Sequence, residues 1–396
     1  MSKKEVLFVI NSLGCGGAEK SLVSLLSCFD YEKYAVDLLM FRAEGMFLPL
    51  LPEQVRVLPQ PDFLRYCSSG LRGILKGPGK YRKARLRLMA DLRLRRTHRG
   101  KPLHDAQIFW RAAQEAFAHQ EKAYDAAIAW GQGNPTHFVA EKVDAAKKIA
   151  VINVNYEAAG HNKSFDWPIY EKYDHIVSVS NDLLLLMRGV YPTLADRMCV
   201  IYDIRNQKMI ERMAEEFNPY ARKDNQKILV TVARLVQPKG YDLAAAACKL
   251  LKERGLNFVW YLVGEGPERS MLETYAAKFQ LEQNLVLVGA QQNPYPYMKN
   301  ADVYVQTSRF EGFCLTLCEA RILHTPPVST CFDVVYEQLR DGENGLIVDM
   351  TPEAVADGIE RMLTEDGLRE KIIGNLRQEH LGNETEVAKL YQLING

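Results

Sequence analysis

The sequence is poor in the signals that would assign it to a membrane, a disulfide scaffold or a nucleic acid. Its eight cysteines stand at 15, 28, 67, 199, 248, 314, 318 and 331 with no C-x-x-C pair, and Met1-Ser2-Lys3-Lys4 opens no secretory signal. A reducing, cytoplasmic setting is the expectation. Apolar runs such as Leu183 to Met187 fall far short of the ~20 residues a spanning helix needs. The expected protein is therefore soluble, or peripheral on the inner face of a membrane. Charge of one sign is lacking too, since 50 Lys and Arg balance 49 Asp and Glu across 396 residues. No global field would draw the whole molecule onto nucleic acid or membrane, so such a partner would have to be met by a local patch.

At 47% hydrophobic and 25% charged residues, the chain is long and apolar enough for two ordinary domains. Two series of short, β-branched apolar runs alternate with helix-period segments, the pattern of parallel sheets covered by helices. The first series runs through Val6 to Ile10, Tyr34 to Phe41, Ala126 to Trp130, Lys148 to Val154 and His175 to Val179, and ends near Val200 and Ile201. The second opens at Lys227 to Ala233 and continues through Phe258 to Val263, Leu285 to Val288, Val303 to Val305 and Leu346 to Val348. This pattern predicts an α/β first domain over 1–203, a polar linker over 204–226, and a second α/β domain over 227–380. The closing segment, 381–396, should form a helix that returns to the first domain.

One stretch departs from the pattern. Between Arg72 and Lys101, twelve Lys or Arg residues meet a single acid, Asp91, with Leu86, Leu88, Met89, Leu92 and Leu94 among them. This insertion, about 72–101, is either a solvated helical face or a site for an anionic membrane surface or a phosphate-bearing acceptor. It has no aromatic platform beyond Tyr81, which argues against nucleic acid.

Ligands of open parallel sheets bind beyond the carboxyl ends of the strands, so the loops after strands hold the chemistry. After the first strand, Gly14-Cys15-Gly16-Gly17-Ala18-Glu19 lets backbone N–H groups at a helix start approach an anion, or merely connects strand to helix. The second domain opens with Arg234 and Lys239 five residues apart on one loop. Two cations so placed can grip a diphosphate and neutralise the charge that grows on it when a bond to it breaks. A third loop runs from Gln306 to Ala320, with Glu311 and Glu319 eight residues apart. A helix starting near Gly312 would separate them by roughly 12 Å, a span suited to a nucleotide-sugar. Its sugar would lie near Glu311, its diphosphate at Gly312, Phe313, Cys314 and Leu315, and its ribose hydroxyls near Glu319.

Arg234 with Lys239, Val263-Gly264-Glu265-Gly266-Pro267, Asp302, and Ser308-Arg309-Phe310-Glu311-Gly312-Phe313 through Glu319 together resemble the group 1 glycosyltransferases, also called glycosyltransferase family 4. The resemblance extends to Gly16-Gly17-Ala18-Glu19 near one end and to Tyr336-Glu337-Gln338 with Asp341-Gly342-Glu343-Asn344-Gly345-Leu346 near the other. It implies the GT-B fold, two Rossmann-like parallel-sheet domains facing each other across a cleft, with the acceptor on the amino-terminal side. It also implies transfer with retention and without a metal, so no cofactor is expected and no D-x-D-like metal site is invoked. Arg234 and Lys239 become the diphosphate clamp, Glu311 the carboxylate on the donor sugar and Glu319 the ribose ligand. Gly16, Gly17 and Gly264 join the donor-binding set.

Two departures from the family's pattern bear on specificity. Where many relatives place a sugar-contacting His, this chain offers Asn153 or Asn155; His161 either substitutes or is a solvated loop histidine. The family's glycine-rich turn is replaced by Thr330-Cys331-Phe332-Asp333-Val334-Val335-Tyr336-Glu337.

The resulting expectation is a retaining hexosyl- or N-acetylhexosaminyltransferase that takes a sugar from a nucleotide-diphosphate donor, UDP favoured. Its acceptor would be a cell-surface or capsular polysaccharide precursor, lipid-linked. Two other readings stay open, a nucleotide-sugar epimerase and a non-catalytic nucleotide-sugar-binding protein.

Overall fold

The computed structural model describes residues 2–14, 16–64, 103–157, 159–311 and 313–396. The basic stretch at 72–101 and Gly312 lie outside them. The chain divides into two compact units, Met1–Arg205 with Asn383–Gly396, and Asn206–Gly382.

The first unit carries, in order, β1 (Lys4–Ile10), α1 (Gly17–Ser27), β2 (Tyr34–Met40), β3 (Val55–Val57), α2 (Asp105–Ala113), β4 (Tyr124–Trp130) and α3 (Asn134–Lys142). Then follow β5 (Ala145–Ile152), α4 (Lys163–Tyr170), β6 (His175–Ser178), α5 (Asn181–Val190) and β7 (Met198–Val200). The seven strands pair in parallel in the order β3-β2-β1-β4-β5-β6-β7. Val6 to Ile10 of β1 and Ala126 to Trp130 of β4 are buried throughout, which is why these strands read as continuous apolar runs rather than alternating ones.

The second unit begins with α6 (Gln207–Ala214), followed by β8 (Lys227–Val232), α7 (Tyr241–Glu253), β9 (Phe258–Val263), α8 (Arg269–Lys278), β10 (Leu285–Gly289), α9 (Tyr295–Lys299) and β11 (Val303–Gln306). It closes with α10 (Leu315–Ile322), β12 (Pro327–Thr330), β13 (Leu346–Val348), α11 (Pro352–Thr364) and α12 (Leu368–Leu376). Its six parallel strands run β10-β9-β8-β11-β12-β13. In each unit the strand order reverses direction beside the first strand, between β1 and β4 and between β8 and β11. These reversals are the points at which doubly wound sheets bind ligands.

Within the stretch expected to be a linker, 204–226, residues Gln207–Ala214 form α6. Asn206 caps α6 by accepting from Met209 N (3.0 Å), and Ile210, Met213 and Ala214 are buried. An eight-residue helix with only three buried residues passes for polar linker in the sequence.

The chain ends in α13 (Val387–Asn395), which belongs to the first unit. The Tyr391 ring stacks on Tyr34 at 4.9 Å, and its hydroxyl accepts from Asp30 N at 2.7 Å. Exit and return are joined by reciprocal hydrogen bonds: Arg205 N donates to Asn383 Oδ1 (2.7 Å), and Asn383 N donates to Arg205 O (3.3 Å).

Just before the exit, Asp203 lines a small cavity with Leu25, Trp130, Val151, Val177 and Leu390, and accepts the Ser21 hydroxyl at 2.5 Å. Burial pushes its carboxyl up to about 6. A carboxyl raised from about 3.9 in the unfolded chain costs nothing below pH 4 and destabilises the fold as pH climbs through 6. Asp203→Asn should therefore gain about 3 kcal/mol over the unaltered chain at pH 7 and converge with it below pH 4. Urea unfolding at pH 3.5, 5 and 7 checks this; a constant difference across pH would contradict it.

Candidate functional site

The chemistry of the second unit gathers on the loops after β8 and β11, on either side of its strand reversal. The β8 loop ends in a short turn, Gln237–Lys239, closed by Gly240 at φ 64°. A Cβ at Gly240 would lie 2.0 Å from Thr307 O, so only glycine lets the two loops touch here. Thr307 Oγ1 donates to Lys239 O (2.9 Å) and Arg309 N to Pro238 O (2.8 Å). The Arg309 guanidinium grips both oxygens of Asp242 at 2.7 and 2.6 Å.

Stitched in this way, the loops bring together two of the residues picked out in the sequence. Lys239 Nζ lies 2.6 and 2.7 Å from the two oxygens of Glu311, with their side chains 21% and 8% exposed. The Ser308 hydroxyl donates to Glu311 Oε1 at 2.6 Å. Arg234 stands exposed at the head of the β8 loop. Gly264 follows β9 at φ 153°, where a Cβ would meet Ala233 O at 1.9 Å. Close packing of the β9 loop beneath Arg234 explains this glycine without a ligand.

Helix α10 starts at Leu315, three residues later than the sequence pattern predicts. Cys314 is the reason: it sits in the left-handed region at φ 67°, ψ 66°, and no helix passes through it. Glu319 is consequently little more than one turn into α10, so the separation from Glu311 is not the one a continuous helix from Gly312 would set. Its side chain is buried, with the Tyr295 hydroxyl 3.4 Å from Oε1. The loop after β12 meets this region through Gln338, whose Nε2 donates to Phe313 O and to Cys314 O. That amide fastens the loop carrying Tyr336-Glu337-Gln338 to the backbone just ahead of α10.

In the first unit, Gly16 caps α1, and Gly17 begins it. A Cβ on Gly16 would lie 2.3 Å from Glu19 Oε2, so a carboxylate already faces this helix start. On the β5 loop, both polar atoms of the Asn153 carboxamide are buried without a hydrogen-bond partner, whereas Asn155 is exposed. Gln132 holds this loop, accepting from Asn153 N (3.1 Å) and donating to Val154 O (2.6 Å).

His161 is not the solvated loop residue that the sequence allowed. Its side chain is 3% exposed, between the rings of Tyr156 (5.1 Å) and His104 (4.1 Å), with Nδ1 3.6 Å from Asp166 Oδ2. Asp166 also meets His137 Nε2 at 2.8 Å and accepts the Tyr156 hydroxyl at 2.7 Å. Burial raises the Asp166 carboxyl, but hydrogen bonds from His137 and Tyr156, with the His161 ring close by, outweigh it and hold it below the usual carboxylate range. The aromatic sandwich, invisible to local sequence, removes His161 from water.

Residues 212–379 match the family described as Glycosyl transferases group 1. The poly(ribitol-phosphate) alpha-N-acetylglucosaminyltransferase of Staphylococcus aureus (strain COL) is 26% identical over 264 residues, 63% of this chain and 51% of that protein. The lipopolysaccharide core biosynthesis glycosyltransferase LpsE of Rhizobium meliloti (strain 1021) is 30% identical over 146 residues, 37% of this chain and 42% of that protein. The chain thus spans about half the length of the curated relatives it matches. Among solved structures, Anabaena HepE in complex with UDP and glucose aligns with a TM-score of 0.67 at 15% identity, over 98% of each chain. A glycosyltransferase from Rickettsia africae ESF-5 aligns with a TM-score of 0.66 at 15% identity, over 100% of this chain and 98% of that one. The fold is that of these structures, the GT-B class with two Rossmann-like parallel-sheet domains.

Cys314 allows a test of the loop's backbone. A left-handed non-glycine residue stores about 1–2 kcal/mol, and Cys314→Gly releases it while losing a small buried side chain and adding chain entropy. These offset, so its stability should stay within about 1 kcal/mol of the unaltered chain. Cys314→Val, β-branched at positive φ, should lose more than about 2 kcal/mol. Thermal melts of both variants decide; equal losses would remove the strain argument.

Proposed function

We propose that this chain is a glycosyltransferase that takes a sugar from a nucleoside-diphosphate donor, UDP favoured, and transfers it with retention to a cell-surface or capsular polysaccharide precursor carried on a lipid. The observation that carries this reading is the meeting of Lys239 and Glu311 at 2.6 Å beside the strand reversal of a sheet whose sequence is similar to Glycosyl transferases group 1. The UDP and glucose bound by HepE support the choice of donor class. The Staphylococcus relative, which acts on poly(ribitol-phosphate), supports a polymeric acceptor.

In this reading the diphosphate draws the Lys239 ammonium from Glu311, and Arg234 joins it. The bond from the anomeric carbon to the phosphate oxygen breaks, and its electron pair leaves with the nucleoside diphosphate. The acceptor hydroxyl oxygen bonds to that carbon on the same face, and its proton passes to the departing diphosphate. Two cations and the start of α10 stabilise the charge that develops on the leaving group. Glu311, released from Lys239, takes the sugar hydroxyls, and Glu319 takes the ribose. Gly312, Phe313, Cys314 and Leu315 complete the donor set of the second unit. Asn153, with its buried unsatisfied carboxamide, and Asn155 serve the sugar or the acceptor, whereas His161, sealed beside Asp166, does not.

Calorimetric titration with UDP, GDP and ADP tests the donor class, with UDP expected to bind and Lys239→Ala expected to weaken it about 100-fold. Glu319→Ala should loosen the free nucleotide, while Glu311→Ala should spare it and suppress transfer. No binding of any of the three nucleotides would favour the binding-protein reading. Conversion of the donor sugar in the absence of acceptor would favour the epimerase.

A further inference from the structure

One face of β11 is unusual for a strand buried along its whole length. Val303 and Val305 point into the apolar core, while Tyr304, Gln306 and, just past the strand end, Ser308 alternate with them. Side chains two residues apart share a face, so a polar ladder climbs the other side of β11. All three of its members are 1% exposed or less. Polar groups so deeply buried are stabilised only if bonded, and the contacts run in one direction. The Tyr304 hydroxyl lies 2.5 Å from Gln306 Oε1, Gln306 Nε2 lies 2.6 Å from Ser308 Oγ and 3.0 Å from Glu311 Oε1, and Ser308 Oγ lies 2.6 Å from the same carboxylate oxygen.

The chemistry of the groups fixes the direction of every hydrogen bond. A carboxylate only accepts, so the nitrogen side of the Gln306 amide must face Glu311. The oxygen of that amide then faces Tyr304, whose phenol, kept protonated by burial, donates to it. With its amide facing this way, Gln306 donates to Ser308, and the Ser308 hydroxyl is left to donate to Glu311. Two neutral donors therefore converge on Oε1 independently of the ammonium of Lys239.

We propose that Gln306 is a positioning residue for transfer, holding Glu311 in its working orientation after Lys239 has turned to the diphosphate, and that Tyr304 sets the direction of its amide. The proposal rests on the transferase reading above. Without the ladder, Glu311 would lose its alignment at the moment its cation is withdrawn. With it, the carboxylate keeps one oxygen anchored and presents the other to the sugar.

The test measures UDP release from UDP-N-acetylglucosamine and from UDP-glucose with water as acceptor, beside UDP binding by calorimetry. Gln306→Leu should lower kcat about ten- to hundredfold, as expected for the loss of a hydrogen bond to a charged group, with the UDP Kd unchanged within twofold. Tyr304→Phe should lower kcat about threefold alone and add nothing in the Gln306→Leu background, because the two act through one amide. Gln306→Glu, which sets a second carboxylate against Glu311, should be worse than Gln306→Leu. Turnover of Gln306→Leu equal to the unaltered chain, a loss of UDP binding in step with kcat, or additive losses in the double variant would each overturn the role of Gln306. If Gln306→Leu does not fold, the Tyr304→Phe split between kcat and Kd decides alone. Absence of turnover in the unaltered chain would overturn the transferase reading and the positioning role together.

Discussion

The contact between Gly240 and the Thr307 carbonyl is the constraint on which the second unit's site depends. Two loops that leave adjacent parallel strands normally diverge as the sheet twists. Here they are pressed together at their backbones, and no side chain could be tolerated at the point of contact. Only this closeness lets a four-carbon lysine stem from one loop reach a glutamate on the other. The Arg309–Asp242 pair reinforces the same junction from outside, where ion pairs add little to stability but hold a geometry.

The Lys239–Glu311 pair is poised rather than inert. Removing one member of a poorly solvated ion pair is expensive, because its partner is left uncompensated. A ligand that supplies both an anion and a row of hydroxyls replaces each partner with another and leaves neither charge bare. The same logic separates this site from the Asp166 cluster of the first unit, where His137, Tyr156 and His161 surround one carboxylate from three sides. That cluster is closed upon itself and ties α3, α4 and the β5 loop together.

Much of the architecture was legible because parallel sheets bury their central strands on both faces, so Val6 to Ile10 and Phe258 to Val263 stand out as uninterrupted apolar runs. β12 did not stand out, since it opens on Pro327, a residue that argues against an interior strand unless it comes first. Lys239 and Glu311 were legible from the loops that carry them. The start of α10 was not, because Cys314 adopts a backbone conformation that its residue type disfavours. Gln306 was missed for a different reason: at a strand end a glutamine is usually solvated, and only the packing above β11 shows that it is sealed. Burial of His161 likewise depends on His104, 57 positions earlier in the sequence.

The paired hydrogen bonds between Arg205 and Asn383 make the second unit topologically an insert, since the chain leaves the first unit and re-enters it at one spot. A segment whose two ends emerge side by side can be exchanged as a cassette with only two junctions to respect, at 205/206 and 382/383. Recombination at such a point would exchange the second unit and its Lys239–Glu311 site while the first unit, closed over by α13, stayed intact. The same junctions offer the protein engineer a place to graft a foreign domain, or to bridge the gap with a short turn and ask whether the remainder folds alone.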